Sequence, residues 1–128
     1  MFKKIAVVVL VLSICIPFVA TAASNDNNIE PPYTPLEVYM DPTQVYVFDD
    51  YPEVMFYGEW TGGPVEYYHV VMNYGDGSSG ENYYTYDASD YYTHYYNVNK
   101  GSGYKWNTKL TVTSGSSTAS ENGVVEVY

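Results

Sequence analysis

Between Tyr104 and Thr113 the chain alternates without a break. Tyr104, Trp106, Thr108, Leu110 and Val112 fall on one side, and Lys105, Asn107, Lys109, Thr111 and Thr113 on the other. Successive side chains of a strand point to opposite faces, so this run fits a β-strand with one buried face and one wet face. No stretch of useful length carries apolar residues at helical spacing, whereas alternation with β-branched and aromatic enrichment recurs. A second run, Tyr67 to Tyr74, sets Tyr68, Val70, Met72 and Tyr74 against Tyr67, His69, Val71 and Asn73. It ends in Gly75-Asp76-Gly77-Ser78-Ser79-Gly80, whose glycines admit the positive φ angles of a tight turn.

Shorter strands are predicted at Leu36 to Met40, Val45 to Phe48 and Val54 to Tyr57, separated by Asp41-Pro42 and by Asp49-Asp50-Tyr51-Pro52. Gly115 to Ser120 is predicted as a small-residue loop before a last strand, Val124 to Val127. Short strands at this spacing predict an all-β domain over residues 36–128, an antiparallel β-sandwich of about seven strands.

The residues before it have other duties. Lys3 and Lys4 precede an apolar stretch from Ile5 to Val19, and Ala20-Thr21-Ala22 is a small-x-small cleavage site. Residues 1–22 are therefore predicted to be a cleaved secretory signal. The stretch holds Ser13 and Pro17 and is shorter than the roughly 20 residues of a spanning helix, so no membrane association is expected after cleavage. Cys15 lies inside the signal, and the bulky Ile14 before it does not suit a lipoprotein processing site. The expected mature chain has no cysteine and cannot rely on disulfides. Residues 23–35, rich in Asn, Asp, Ser and Pro, are predicted to form a flexible leader.

Charge excludes one class of partner. The chain has no arginine, and loss of Lys3 and Lys4 leaves three lysines (Lys100, Lys105 and Lys109) against 15 acids, a net charge of −12. Such a chain lacks the cationic surface that neutralises phosphates, so nucleic acid is not an expected partner. The lysines cluster in one segment, which admits either a solvated strand face or a self-complementary contact with an acidic face.

Three elements in order carry a family resemblance. Tyr74-Gly75-Asp76-Gly77 follows an apolar strand, then come His94-Tyr95-Tyr96, then Gly103-Tyr104 opening the strand that ends Leu110-Thr111-Val112-Thr113. Over Leu36 to Tyr128 this resembles the PKD-type immunoglobulin-like domain. Met72-Asn73-Tyr74 stand where that family commonly has Trp-Asp-Phe, and Trp106 stands where its Gly-x-Tyr-x-Val strand has valine. The resemblance implies a two-sheet immunoglobulin-like sandwich and a noncatalytic extracellular role in binding, adhesion or spacing, with His94 as a structural hydrogen bonder near the turn.

Catalysis finds no motif. There is no Gly-x-Ser-x-Gly elbow, no His-Glu-x-x-His and no phosphate-cradling loop, and neither His69 nor His94 has a motif around it. Two lone histidines also lack the spacing of zinc ligands. No cofactor is required. Calcium is the metal that suits the abundant carboxylates, with Asp49, Asp50 and Glu53 in one loop and Asp87 and Asp90 in another as candidate ligands. The same carboxylates equally suit solvated turns.

Tyrosine is the most unusual feature: the chain has 17, with Tyr83, Tyr84, Tyr86, Tyr91, Tyr92, Tyr95 and Tyr96 in one short segment. Neighbouring tyrosines of a strand cannot both be buried, so some are expected to face solvent. Exposed rings offer flat apolar faces to sugars and rigid amphipathic area to proteins. Trp60, Tyr83, Tyr84, Tyr86, Tyr91 and Tyr92 are thus the candidate binding surface for an extracellular polysaccharide or surface protein. Tyrosine is also a good strand former that can cover a small core. Open strand edges admit the alternative of a self-assembling surface or matrix component.

Overall fold

The computed structural model describes residues 32–48 and 50–128. The predicted signal, residues 23–31 of the leader, and the candidate calcium ligand Asp49 lie outside the described residues. Eight strands follow in order: β1 (Glu37–Asp41), β2 (Gln44–Val47), β3 (Glu53–Thr61), β4 (Tyr68–Asn73), β5 (Glu81–Thr85), β6 (Ser89–Tyr95), β7 (Lys105–Ser114) and β8 (Ser117–Val127). They form a three-stranded sheet in the order β1-β3-β6 and a five-stranded sheet in the order β2-β8-β7-β4-β5. No helix occurs among the described residues, and the all-β expectation holds.

Two details of the expected sandwich need correction. There are eight strands rather than about seven, because the tyrosine segment supplies two, one to each sheet. The pairing is also not wholly antiparallel, since β2 runs parallel to β8. The Asp41-Pro42 break does not reverse the chain; it transfers it forward from the three-stranded sheet to the five-stranded one. There Val124 N donates to Thr43 O at 2.9 Å, just ahead of the β2 ladder.

Two strands are longer than their apolar residues suggested. β8 begins at Ser117, not Val124, because Gly115 and Ser116 alone make the turn that joins it to β7. Gly115 has φ +56°, in the place a type II′ hairpin turn reserves for glycine. The predicted loop residues Ser117 to Ser120 are therefore ladder residues, and the hydroxyls of Thr113 and Thr118 meet across it at 3.0 Å. β3 continues past Tyr57 to Thr61 through Gly58. A Cβ at Gly58 would stand 2.7 Å from Leu110 Cδ2, so glycine is what lets the sheets approach there.

Inward residues of both sheets make one core. The three-stranded sheet contributes Met40, Val54, Phe56, Trp60 and Tyr92, and the five-stranded sheet Val47, Tyr68, Val70, Met72, Trp106, Leu110, Val112, Val125 and Val127. Phe56 meets Tyr74 and Trp60 meets Tyr68 across the gap, each pair with centroids 6.2 Å apart. Full burial of such side chains stabilises the fold by roughly 1.5–3 kcal/mol each. The face predicted for β7 is buried at Trp106, Thr108, Leu110 and Val112, but Tyr104 is exposed. It precedes β7, its amide bonds Gly101 O in a turn, and its ring lies edge-on to Trp106 at the open end of the core.

Candidate functional site

The tyrosine segment is divided among three environments. β5 is an edge of the five-stranded sheet and β6 an edge of the three-stranded sheet, so the chain crosses between sheets near Tyr86 to Ala88. Alternation within each strand then sends Tyr84 outward from one sheet, Tyr91 and Tyr95 outward from the other, and Tyr83 and Tyr92 inward.

Two expected contacts are corrected by this arrangement. Trp60 is only 1% exposed, with its indole N–H donated to Asp87 O at 2.9 Å, and Tyr92 is only 3% exposed. Neither ring offers a face to a ligand, because Trp60 and Tyr92 take inward positions of β3 and β6. Tyr83 is half-buried; its hydroxyl donates to Asp90 Oδ2 at 2.9 Å and lies 2.7 Å from the Tyr92 hydroxyl. A phenol has one proton, so with Tyr83 donating to the carboxylate, Tyr92 donates to Tyr83. Burial pushes the Tyr92 phenol up to about 12, with the charges of Asp90 and Glu81 adding to it, and burial raises Tyr83 as well.

On the outer face of the five-stranded sheet, four rings form a continuous group. Tyr67 and Tyr84 are near-parallel at 5.6 Å and 15°, His69 and Tyr84 at 4.5 Å and 17°, and Tyr86 lies 4.7 Å from Tyr67. Tyr84 and Tyr86 are 61% and 77% exposed. His69 Nε2 is 2.7 Å from Asn82 Oδ1 on the neighbouring strand, which fixes the imidazole. Val65, Thr113 and Gly115 complete a shallow recess beside Tyr67, His69 and Tyr84. Tyr67 and His69 were absent from the candidate surface. Their outward position was legible in the alternation of 67 to 74, but not the pairing of His69 with Tyr84 that joins them to it.

The outer face of the three-stranded sheet is different. Tyr57 and Tyr91 pair across β3 and β6 with centroids at 5.0 Å, and Tyr39, Met55 and Tyr95 are exposed beside them. Carboxylates stand among the rings: the Tyr57 hydroxyl donates to Glu59 at 3.1 Å and that of Tyr95 to Glu53 at 2.9 Å. The Glu53 bond and charge raise the Tyr95 phenol.

A third group sits at the turn after β4. His94 Nε2 donates to Asp76 Oδ2 at 2.6 Å, and the ring lies flat on Tyr74 at 4.0 Å and 5°. Tyr96, fully buried, donates to Tyr74 O at 3.0 Å and packs on Trp106 at 5.0 Å. Burial works against the Asp76 charge, but hydrogen bonds from Ser78 and His94 outweigh it and hold the carboxyl below the usual range.

The described candidate calcium ligands are dispersed among other tasks. Glu53 accepts from Tyr95 and Asp90 from Tyr83, while the carbonyls of Asp50 and Asp87 accept from Val98 N and Trp60 Nε1. Among the described residues, no three His, Cys, Asp or Glu side chains gather where they could hold a metal ion. The chain matches no protein-family model, no curated protein and no solved structure.

Proposed function

We propose that this chain is a secreted, noncatalytic module of PKD-type immunoglobulin-like fold that binds an extracellular polysaccharide through Tyr67, His69, Tyr84 and Tyr86. The observation that carries the reading is the exposed group of four rings on the five-stranded sheet. Sugar rings present apolar C–H faces that stack on aromatic faces, and Asn82 and Thr113 stand beside the rings to meet hydroxyls. A sheet holds these groups in place before the ligand arrives, which lowers the ordering cost of binding. With a net charge of −12 on residues 23–128, a neutral polymer suits the surface better than an anionic one.

The fold assignment draws support from strand order. Immunoglobulin-type sandwiches place their strands A, B and E in one sheet and G, F and C in the other. β1, β3 and β6 follow the first set, and β8, β7 and β4 the second. Resemblance-bearing residues from two separate segments also meet, Asp76 with His94 and Tyr74 with Tyr96. In this reading His94 is structural, calcium is not required, and the acidic loops serve as turns.

Retention of the purified protein on insoluble chitin, cellulose and cell-wall glycan, each with calcium and with chelator, tests the proposal. One neutral glycan is expected to retain it equally in both conditions. The double variant Tyr67→Ala, Tyr84→Ala is expected to weaken that retention by about tenfold or more, which corresponds to 1.4 kcal/mol or more of lost contact. Equal retention of this folded variant, or no retention of the parent protein on any glycan, would overturn the assignment.

A further inference from the structure

The sandwich segregates its charge between its two outer faces. The three-stranded sheet carries Glu37, Asp41, Glu53 and Glu59 at the outward positions of β1 and β3, interleaved with Tyr39, Tyr57, Tyr91 and Tyr95. β1, β3 and β6 contain no lysine. The only lysines among the described residues lie on or just before β7, whose outward side faces the opposite direction. Lys105 pairs with Glu126 at 3.3 Å, and its side chain remains 56% exposed. Lys109 is exposed between Asn73 and Asn122, neither of which is charged. Asn107, Thr111 and Ser120 surround it with neutral hydrogen-bonding groups.

We infer that a second copy of this chain covers the acidic tyrosine face, docking the lysine side of its five-stranded sheet there. Carboxylates and tyrosine ring faces are the two surfaces an exposed ammonium group seeks, and here they alternate along one sheet. Lys109 has no opposite charge across either ladder partner, so the pairing would supply one. The contact joins different patches on opposite sides of the molecule, which makes it heterologous: each joined pair keeps one face of each kind open, and the row does not close on itself.

The proposed sugar site lies towards the other end of the same sheet face. His69 pairs with Thr113, four residues along β7 from Lys109, or about 13 Å at a strand's rise of roughly 3.3 Å per residue. A row would repeat that site at fixed intervals and add avidity. The inference does not depend on the sugar reading, since it uses other residues and needs no ligand. Overall repulsion between acidic copies opposes it, and at physiological salt this is screened beyond about 8 Å while contacts at an interface are screened far less.

Sedimentation of the purified full protein at physiological salt is expected to show species growing with concentration beyond a dimer. The variants Lys105→Gln, Lys109→Gln and Glu37→Gln, Glu59→Gln are each expected to be monomeric, since each has lost one of the two faces. Mixed together, they are expected to form a one-to-one pair that does not grow, because each brings the face the other lacks. Carbodiimide coupling of the unmodified protein, which joins amines to carboxylates in contact, provides a check that needs no variant: it should link Lys109 of one molecule to Glu37 or Glu59 of another. A monomeric parent protein at high micromolar concentration, a closed dimer, a mixture that stays monomeric, or intermolecular links confined to other residues would overturn the inference.

Discussion

Tyr83 and Tyr84 are neighbours in the chain and differ in almost every physical respect. Tyr83 points between the sheets and takes part in a chain of hydrogen bonds from Tyr92 to Asp90. Tyr84 points away from the sheet, is mostly exposed, and lies between Tyr67 and His69. The same contrast separates whole regions: an inner set of Tyr74, Tyr83, Tyr92 and Tyr96, whose rings are packed in the fold, and an outer group at Tyr67, Tyr84 and Tyr86. One side chain type thus serves as core or as outer surface, and within a strand the parity of its position decides which.

Truncation gives the largest contrast. Tyr96→Ala would empty a fully buried site against Trp106 and strip the bond to Tyr74 O, at a cost of about 3–5 kcal/mol, the range for large aromatic deletions in cores. Tyr84→Ala removes an exposed ring and is expected to change stability by no more than about 0.5 kcal/mol. Urea unfolding followed by tryptophan fluorescence separates the two. A cost above about 2 kcal/mol for Tyr84→Ala would place that ring with the inner set and remove it from the proposed sugar site.

Alkaline pH probes the inner set without substitution, alongside the raised Tyr57 and Tyr95 phenols of the three-stranded sheet. The Tyr92 phenol has its pKa raised from 10.0 to about 12 in the folded state, with Tyr74, Tyr83 and Tyr96 raised as well. In the unfolded chain these phenols ionise first, so above pH 10 the unfolded state binds fewer protons than the folded one. Their contribution to stability is therefore complete below pH 10 and declines above it, that of Tyr92 being lost as pH rises through 12. The thermal midpoint should fall across that window, and the double variant Tyr83→Phe, Tyr92→Phe should make the fall shallower. An unchanged slope in the variant would show that these phenols are not the groups responsible.

How much of this was legible in the chain depended on distance along it. The faces of β4 and the inner residues of β7 followed from alternation alone, because period-2 patterning is local. Trp60 was misplaced on the surface because only Val54 to Tyr57 announced a strand. Gly58 interrupts the apolar pattern, yet it is an inward position that the facing Leu110 leaves no room to fill. Residues 117–120 have the Ser, Thr and Ala composition of a loop, and only the two-residue turn at Gly115-Ser116 commits them to the ladder. The four-ring group could not be found from the segment 83–96, as Tyr67 and His69 come from the start of β4 and the residue before it, and the register of β4 on β5 is a long-range property.

Removing one oxygen at a time gives the finest test of the inner and outer distinction. Tyr83→Phe would leave the Tyr92 hydroxyl without its acceptor inside the sandwich, at about 1–2 kcal/mol, the penalty for stranding a part-buried polar group. Asp90 is exposed and recovers its lost bond from water. Tyr84→Phe strands nothing, so its effect should fall near zero. The cycle is closed by Tyr92→Phe made in the Tyr83→Phe background, where it removes the stranded hydroxyl rather than a bonded one. There it should be neutral or stabilising, although it is destabilising in the parent protein, and this change of sign is what direct coupling between the two phenols requires. Additive losses from the two substitutions would mean that the phenols act independently, and the inner set would then be held by packing of its rings alone.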